Sequence, residues 1–287
     1  MASWRISVGS VTWGNEPAYY WITPPSIDEM LDGIVAAGYN AIEWSLKPSD
    51  DPALVRRHLA ERDLTFVGSF CFADLIDRAK HETEIARVAD LGRQVKRLGG
   101  DTVILCDPIR PHRSEIAGRV TMADAMPVNH HQAMTLGLNL AAEELAAIGV
   151  RSTYHPHAGT LVETRYEFER LLAAVDESLI GFCPDTGHIA FAGDDPVAAF
   201  VDYADRITHV HIKDVDGPLL ERSKAEGLDF MEMTRRGVFA ALGKGTVDLA
   251  RVVGALNESK YQGWIVVEQD AAPNPLQDSI ASREFLE

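Results

Sequence analysis

Phe182-Cys183-Pro184-Asp185-Thr186-Gly187-His188 is a short apolar run that opens abruptly into side chains able to bind a metal ion. The same transition occurs three more times. It is found in Ser152-Thr153-Tyr154-His155-Pro156-His157, in Thr208-His209-Val210-His211-Ile212-Lys213-Asp214, and in Trp264-Ile265-Val266-Val267-Glu268-Gln269-Asp270. Four strand-like runs therefore end in His155, Asp185, His211 and Glu268. Polar groups gathered at the carboxyl ends of parallel strands are how a (β/α)8 barrel builds a site on its loops.

Outward from these stretches, strand-like and helix-like segments alternate along the chain, which implies a parallel sheet with helical crossovers. The strands are read as Ile6-Ser7-Val8, Ala41-Ile42-Glu43-Trp44, Thr65-Phe66-Val67-Gly68, Thr102 to Cys106, a run up to His155, Leu179 to Cys183, Ile207 to Ile212, and Trp264 to Glu268. Ser26-Ile27-Asp28-Glu29 reads as a capping box that opens a helix ending at Gly38. Further helices are expected from Asp51-Pro52 to Glu61, His81 to Leu98, Leu136 to Ala147, Glu163 to Ala174, Pro196 to Tyr203, and Val247 to Leu256, the last full helix. Two long connections remain, Asp107 to Asn129 and Asp214 to Val247; loops of that length are usually functional. Eight strands with intervening helices and no linker predict an α/β protein, a single (β/α)8 barrel over residues 1–287, with a doubly wound sheet as the alternative.

Composition narrows the function. The 43 acidic against 27 basic residues give a formal net charge of −16, which disfavours a nucleic-acid partner. No apolar run approaches the length of a membrane span and no secretion leader is evident. Cys71, Cys106 and Cys183 are far apart and lie in or beside apolar runs, so reduced buried thiols in a cytoplasmic protein are expected.

Strand periodicity selects the candidate ligands. Residues two apart share a face, so Thr153 and His155 point together, as do Cys183 and Asp185, His209, His211 and Lys213, and Val266 and Glu268. His155, Asp185, His211 and Glu268 form a mixed nitrogen and oxygen set suited to Mn²⁺, Co²⁺, Fe²⁺ or Zn²⁺ rather than a thiolate site. A single histidine at a strand end is ordinarily a hydrogen-bonded core residue, and Asp185-Thr186-Gly187 alone reads as an N-cap and turn. Against that, five of the ten histidines lie between positions 155 and 211, each at or just past a strand end. His157 and His188 are read as ligands or as contacts to substrate, and His209 as a buried partner. Lys213 is a catalytic candidate, because a metal beside it would lower its pKa. Glu43 is read as a substrate contact or a salt-bridge partner, and Trp13 and Asn15 as pocket wall or packing. Leu242-Gly243-Lys244-Gly245 lacks the spacing of a phosphate loop and reads as a turn.

These motifs resemble the xylose-isomerase-like barrel superfamily, and within it the inosose dehydratase branch. The likeness is carried by Tyr154-His155-Pro156-His157-Ala158-Gly159-Thr160, by Asp185-Thr186-Gly187-His188 with Ala192-Gly193-Asp194-Asp195-Pro196, and by His209 to Val215. Tyr261-Gln262-Gly263-Trp264 running to Glu268 adds to it. The resemblance implies a divalent metal, Mn²⁺ or Co²⁺ first, with Zn²⁺, Fe²⁺ or Mg²⁺ as further options. It implies a small cyclic keto-polyol or keto sugar as substrate, and a homo-oligomer. The reaction it points to is loss of water through a metal-stabilised enolate, with isomerisation or epimerisation of a keto sugar as the alternative. Glu268 would be the base, and Lys213, His157 or His188 the acid. In related epimerases the strand-five ligand is a glutamate, and here His155 stands in its place. The branch's usual further histidine is replaced by Pro156.

Overall fold

The computed structural model describes residues 4–15, 19–47 and 49–287. Eight parallel strands close into a barrel: β1 (Arg5–Gly9), β2 (Ala41–Glu43), β3 (Thr65–Phe66 continuing as Gly68–Phe72), β4 (Thr102–Cys106), β5 (Arg151–Tyr154), β6 (Ile180–Phe182), β7 (Val210–Ile212) and β8 (Trp264–Val267). Consecutive strands pair in order, and β8 returns to β1 with Arg5 opposite Trp264 and Val8 opposite Val267. Between β6 and β7 the pairing is reduced to the parallel bridges Phe182–Ile207 and Asp185–His211. The expected barrel is therefore what forms, and its weakest seam lies between two of the proposed ligands.

The strands are continuous apolar runs because both faces are covered. Val8, Ile42, Val103, Leu105, Ile180, Val210, Ile212 and Ile265 are buried, and the crossover helices close over them. Local signals act as read. Ser26 and Glu29 form the reciprocal capping box of the helix Ile27–Ala36, and Asp51 caps Pro52–Ala60. Cys71, Cys106 and Cys183 are buried free thiols. Among the described residues no helix is long and apolar enough to cross a membrane.

Five helices depart from the sequence expectation. The helix expected from Leu136 begins at Val128, where Pro127 supplies its N-terminus and Asn129, His130 and His131 hide the apolar period. The Asp214–Val247 connection carries the helices Gly217–Ala225 and Phe230–Arg235, and Asp185 caps a helix Thr186–Ala192. The helix expected from Val247 to Leu256 forms as Leu249–Glu258, but it is followed by a further one, Pro275–Leu286. Its inward side mixes buried Ser279 and Ser282 with the partly buried Leu276, Ile280 and Leu286, so its apolar period is weak. The third strand also runs on to Phe72, past the Gly68 at which it was expected to stop.

The Gly243–Gly245 turn wraps a carboxylate of its own chain. The backbone N–H groups of Gly243, Gly245 and Val247 all donate to Asp214, at 2.9, 2.9 and 3.0 Å. A Cβ on Gly245 would lie 2.2 Å from Asp214 Oδ1. The turn reading holds, and the anion it receives is internal.

Candidate active site

The polar groups gather at the carboxyl end of the barrel around a cavity of about 30 Å³. His155, His157, His188, Lys213, Glu268 and Asp270 supply its polar wall, and Val11, Tyr19, Phe70, Phe72 and Ile109 much of the rest.

Pairing register brings the ligand candidates together. The β6–β7 bridge sets Asp185 beside His211, and His211 pairs with Val266, two residues before Glu268. One ligand atom each from Asp185, His211 and Glu268 lies within 4.8 Å of the other two. Gly9 on β1 makes room for the third, since a Cβ there would stand 2.4 Å from Glu268 Oε1. Asp185 divides its carboxylate between two tasks. Oδ1 accepts from the N–H groups of Gly187 and His188, at 2.7 and 3.0 Å, while buried Oδ2 has no hydrogen-bond partner. The N-cap and ligand readings of this residue thus apply to different oxygens.

His155 is only partly with this set. It groups within the same distance with His157 and His188, and separately with Cys183 and His211. Its buried Nδ1 has no hydrogen-bond partner. Burial pushes the Cys183 thiol up to about 11. Asp185 Oδ2 and His155 Nδ1, both buried and without a hydrogen-bond partner, together with His211 and with Glu268, for which Gly9 clears space, fit a divalent cation of mixed nitrogen and oxygen preference.

Lys213 occupies the centre of the charge balance. Its Nζ lies 3.3 Å from Asp185 Oδ2, 3.3 Å from Glu268 Oε2, 2.7 Å from Asp270 Oδ1 and 3.1 Å from His188 Nε2. Burial disfavours the ammonium, but Asp185, Asp270 and Glu268 outweigh it and raise its pKa. A cation beside the lysine would have to offset these three carboxylates before it lowered the pKa. Gly187 lets the lysine stem pack against the helix Thr186–Ala192, because a Cβ there would be 2.7 Å from Lys213 Cβ.

Glu43 is not among the residues lining the cavity; it stands behind His211. Its Oε1 is 2.9 Å from His211 Nε2 and its Oε2 is 2.7 Å from His209 Nε2, which makes His209 the buried partner it was read to be. Burial would raise the Glu43 pKa, but His211 and His209 bring it down to about 2. Burial likewise opposes an imidazolium at His211, yet Cys183, Glu268 and Glu43 carry its pKa well above the ordinary value; of these the two glutamates are the charged groups. A carboxylate behind an imidazole is the arrangement that orients a metal-binding histidine. His155 and His188 are held neutral chiefly by burial, and His157 is lowered to about 4.

Trp13 and Asn15 do not line the cavity either. Trp13 is buried against the helix Ile27–Ala36, where a Cβ on Gly33 would meet its ring at 2.3 Å. Asn15 donates from Nδ2 to Ser10 Oγ at 3.5 Å. The described contacts of both residues are packing and loop structure.

Sequence reasoning missed Asp270, Tyr19, Phe70 and Phe72. Asp270 carried a usable signal, being two residues past Glu268. Phe70 and Phe72 were lost with the early end of the third strand. Tyr19 had no local signal.

The Asp107–Asn129 connection packs on the histidine-rich loop after β5. Arg110 N–H donates to Gly159 O, and Glu163 accepts from Gly118 N–H at 2.6 Å and from Gly159 N–H at 2.7 Å. Burial pushes Glu163 up to about 7 in spite of these two donors. Between pH 4.5 and 7 the folded chain then holds a proton that the unfolded chain has released, so this residue's contribution to stability falls as pH rises through that window. Glu163→Gln removes the titration. Comparing the two proteins by urea unfolding at both ends of the window should show wild type losing on the order of 3 kcal/mol relative to the variant. A constant difference across the window would refute the assignment.

A closed (β/α)8 barrel with buried carboxylates, imidazoles and one ammonium at the carboxyl ends of its strands defines a barrel enzyme-type scaffold with a polar, cation-ready centre. The sequence profile of the xylose isomerase-like TIM barrels matches residues 31–287, and the chain belongs to that family. It is 30% identical over 294 residues to the inosose dehydratase of Geobacillus kaustophilus (strain HTA426), covering 99% of this chain and 94% of that one. Among solved structures it is similar to the 3-keto-D-glucoside 4-epimerase YcjR of E. coli, with TM-score 0.73, 17% identity, and coverage of 99% of this chain and 98% of that one. It is also similar to the IolI protein solved with a zinc atom, with TM-score 0.71, 14% identity, and coverage of 98% and 96%. These two likenesses concern the fold.

Proposed function

We propose that this protein is a divalent-metal-dependent lyase that removes water from a cyclic keto-polyol. The observation that carries the reading is the pairing of Glu268 and Lys213 on one cavity wall, with Oε2 and Nζ 3.3 Å apart. A base and an acid this close suit the removal of a proton and a hydroxyl from neighbouring carbons. The inosose dehydratase relative supports the direction of the reaction.

Asp185, His211 and Glu268 would hold the cation, with His155 as the further candidate donor. When bound, it supplies Lewis-acid stabilisation of the negative charge that develops on the ketone. Glu268 accepts the α-proton, the C–H electron pair becomes the new double bond, and the β-hydroxyl departs. Lys213 donates the proton with which that hydroxyl leaves as water. His157 Nδ1 lies 2.7 Å from Ala158 O, to which it donates as a neutral ring. Its other nitrogen is then an acceptor for a substrate hydroxyl, a role different from the acid suggested by sequence. Phe70 and Phe72 give the ring an apolar face. The zinc atom in the IolI structure supports a cation for this fold without naming which one acts here.

The test supplies scyllo-inosose with Mn²⁺, and again with a chelator, and follows enone absorbance and product mass. The expected product is one water lighter than the substrate and appears only with metal. A product of unchanged mass would establish the isomerase or epimerase alternative instead. Turnover unaffected by chelation would remove the metal from the reaction.

A further inference from the structure

Asp270 is buried, lines the cavity, and has no part in the acid and base steps described above. Each of its oxygens meets a different element. Oδ1 lies 2.7 Å from the Lys213 ammonium at the end of β7, and Oδ2 accepts from the Tyr19 hydroxyl, in the segment after β1, at 2.8 Å. The segment bearing it is held at its neighbouring residue as well. Gln269 N–H donates to Thr12 Oγ1, and Gln269 Nε2 donates to Phe239 O. Asp270 is thus a fixed carboxylate, and of the three on Lys213 it is the nearest.

We propose that Asp270 is a positioning residue that sets the Lys213 ammonium toward the departing hydroxyl and fixes Tyr19 as part of the same wall. The proposal rests on the lyase reading and deepens it. Asp185 and Glu268 face the cation position, so a lysine held by them alone would be drawn toward the metal ligands and away from the substrate. Asp270, two residues beyond Glu268 and paired to Tyr19, pulls the ammonium to the opposite side. Its charge, rather than its shape, is what does this, and asparagine in its place keeps an acceptor for Tyr19 while removing the pull.

The consequence separates the two halves of the elimination. α-Proton removal by Glu268 does not need Lys213, whereas departure of the hydroxyl does. In D₂O with Mn²⁺ and scyllo-inosose, Asp270→Asn should raise the ratio of α-deuterium exchange to water loss by at least about tenfold over wild type. Tyr19→Phe, which leaves the lysine pair in place, should keep the wild-type ratio. If Asp270 were merely structural, exchange and elimination would fall together and the ratio would not change, which would overturn the proposal. A wild type that neither exchanges nor eliminates would instead count against the lyase reading. A second readout stands apart from activity: reductive methylation of the folded protein, followed by peptide mass spectrometry. Lys213 is 1% exposed, and Asp270→Asn should speed its modification at least about tenfold relative to surface lysines. An unchanged rate for Lys213 would show that Asp270 does not hold it, whatever the substrate proves to be.

Discussion

Asp185→Asn is expected to lower kcat/KM on the order of 10³-fold while the protein stays folded. The reason is the division of labour within one carboxylate. An asparagine keeps Oδ1 for the Gly187 and His188 N–H groups and replaces Oδ2, the atom without a hydrogen-bond partner, by an amide nitrogen that cannot ligate a cation. Asp185→Ala should lose activity to the same extent and, in addition, about 1 kcal/mol of stability from the lost cap of the helix Thr186–Ala192. Metal content after dialysis and thermal unfolding of both variants check this. An asparagine variant that retains both a full complement of metal and wild-type turnover would remove Asp185 from the ligand set.

Lys213→Met has the second large effect, and it appears first in stability. The methionine fills the space of the lysine stem but leaves Asp185, Glu268 and Asp270 close together in a buried site without their shared ammonium. Removing one partner of a buried ion pair costs about 3–5 kcal/mol, since the remaining charge is left uncompensated. With a chelator present, the variant should therefore unfold well below wild type. Saturating Mn²⁺ should restore most of the difference, because a dication at the carboxylates replaces the lost positive charge. Activity should not return with it: loss of the acid leaves kcat about 10²–10⁴-fold down. Equal thermal stability of variant and wild type in chelator would show that the lysine is not the counter-charge of these three carboxylates.

The strand ends were legible because the signals are local. An apolar run that breaks into His155, Asp185, His211 or Glu268 carries its own period of two, and all four of those strands are present. Helix starts were read where a cap stood before an apolar stripe, as at Ser26 and Asp51. They were missed where serines interrupt the inward face, as in Pro275–Leu286, or where histidines and asparagine open the helix, as after Pro127. The site residues divide the same way. Asp270 was missed although its spacing from Glu268 could have announced it, and the lysine was visible through its shared face with His211.

What the chain determined by itself is the barrel and the ends of strands on which polar groups lie, because alternation and capping act over a few neighbouring residues. Which of those groups meet was decided by closure of the ring. Glu43 and His209 are 166 positions apart and Tyr19 and Asp270 are 251 apart, yet each pair is within hydrogen-bonding distance. No local pattern encodes that Glu43 faces away from the cavity to hold His211, or that three carboxylates converge on one lysine. Register between strands distant in sequence sets those distances, and the charge balance follows from them.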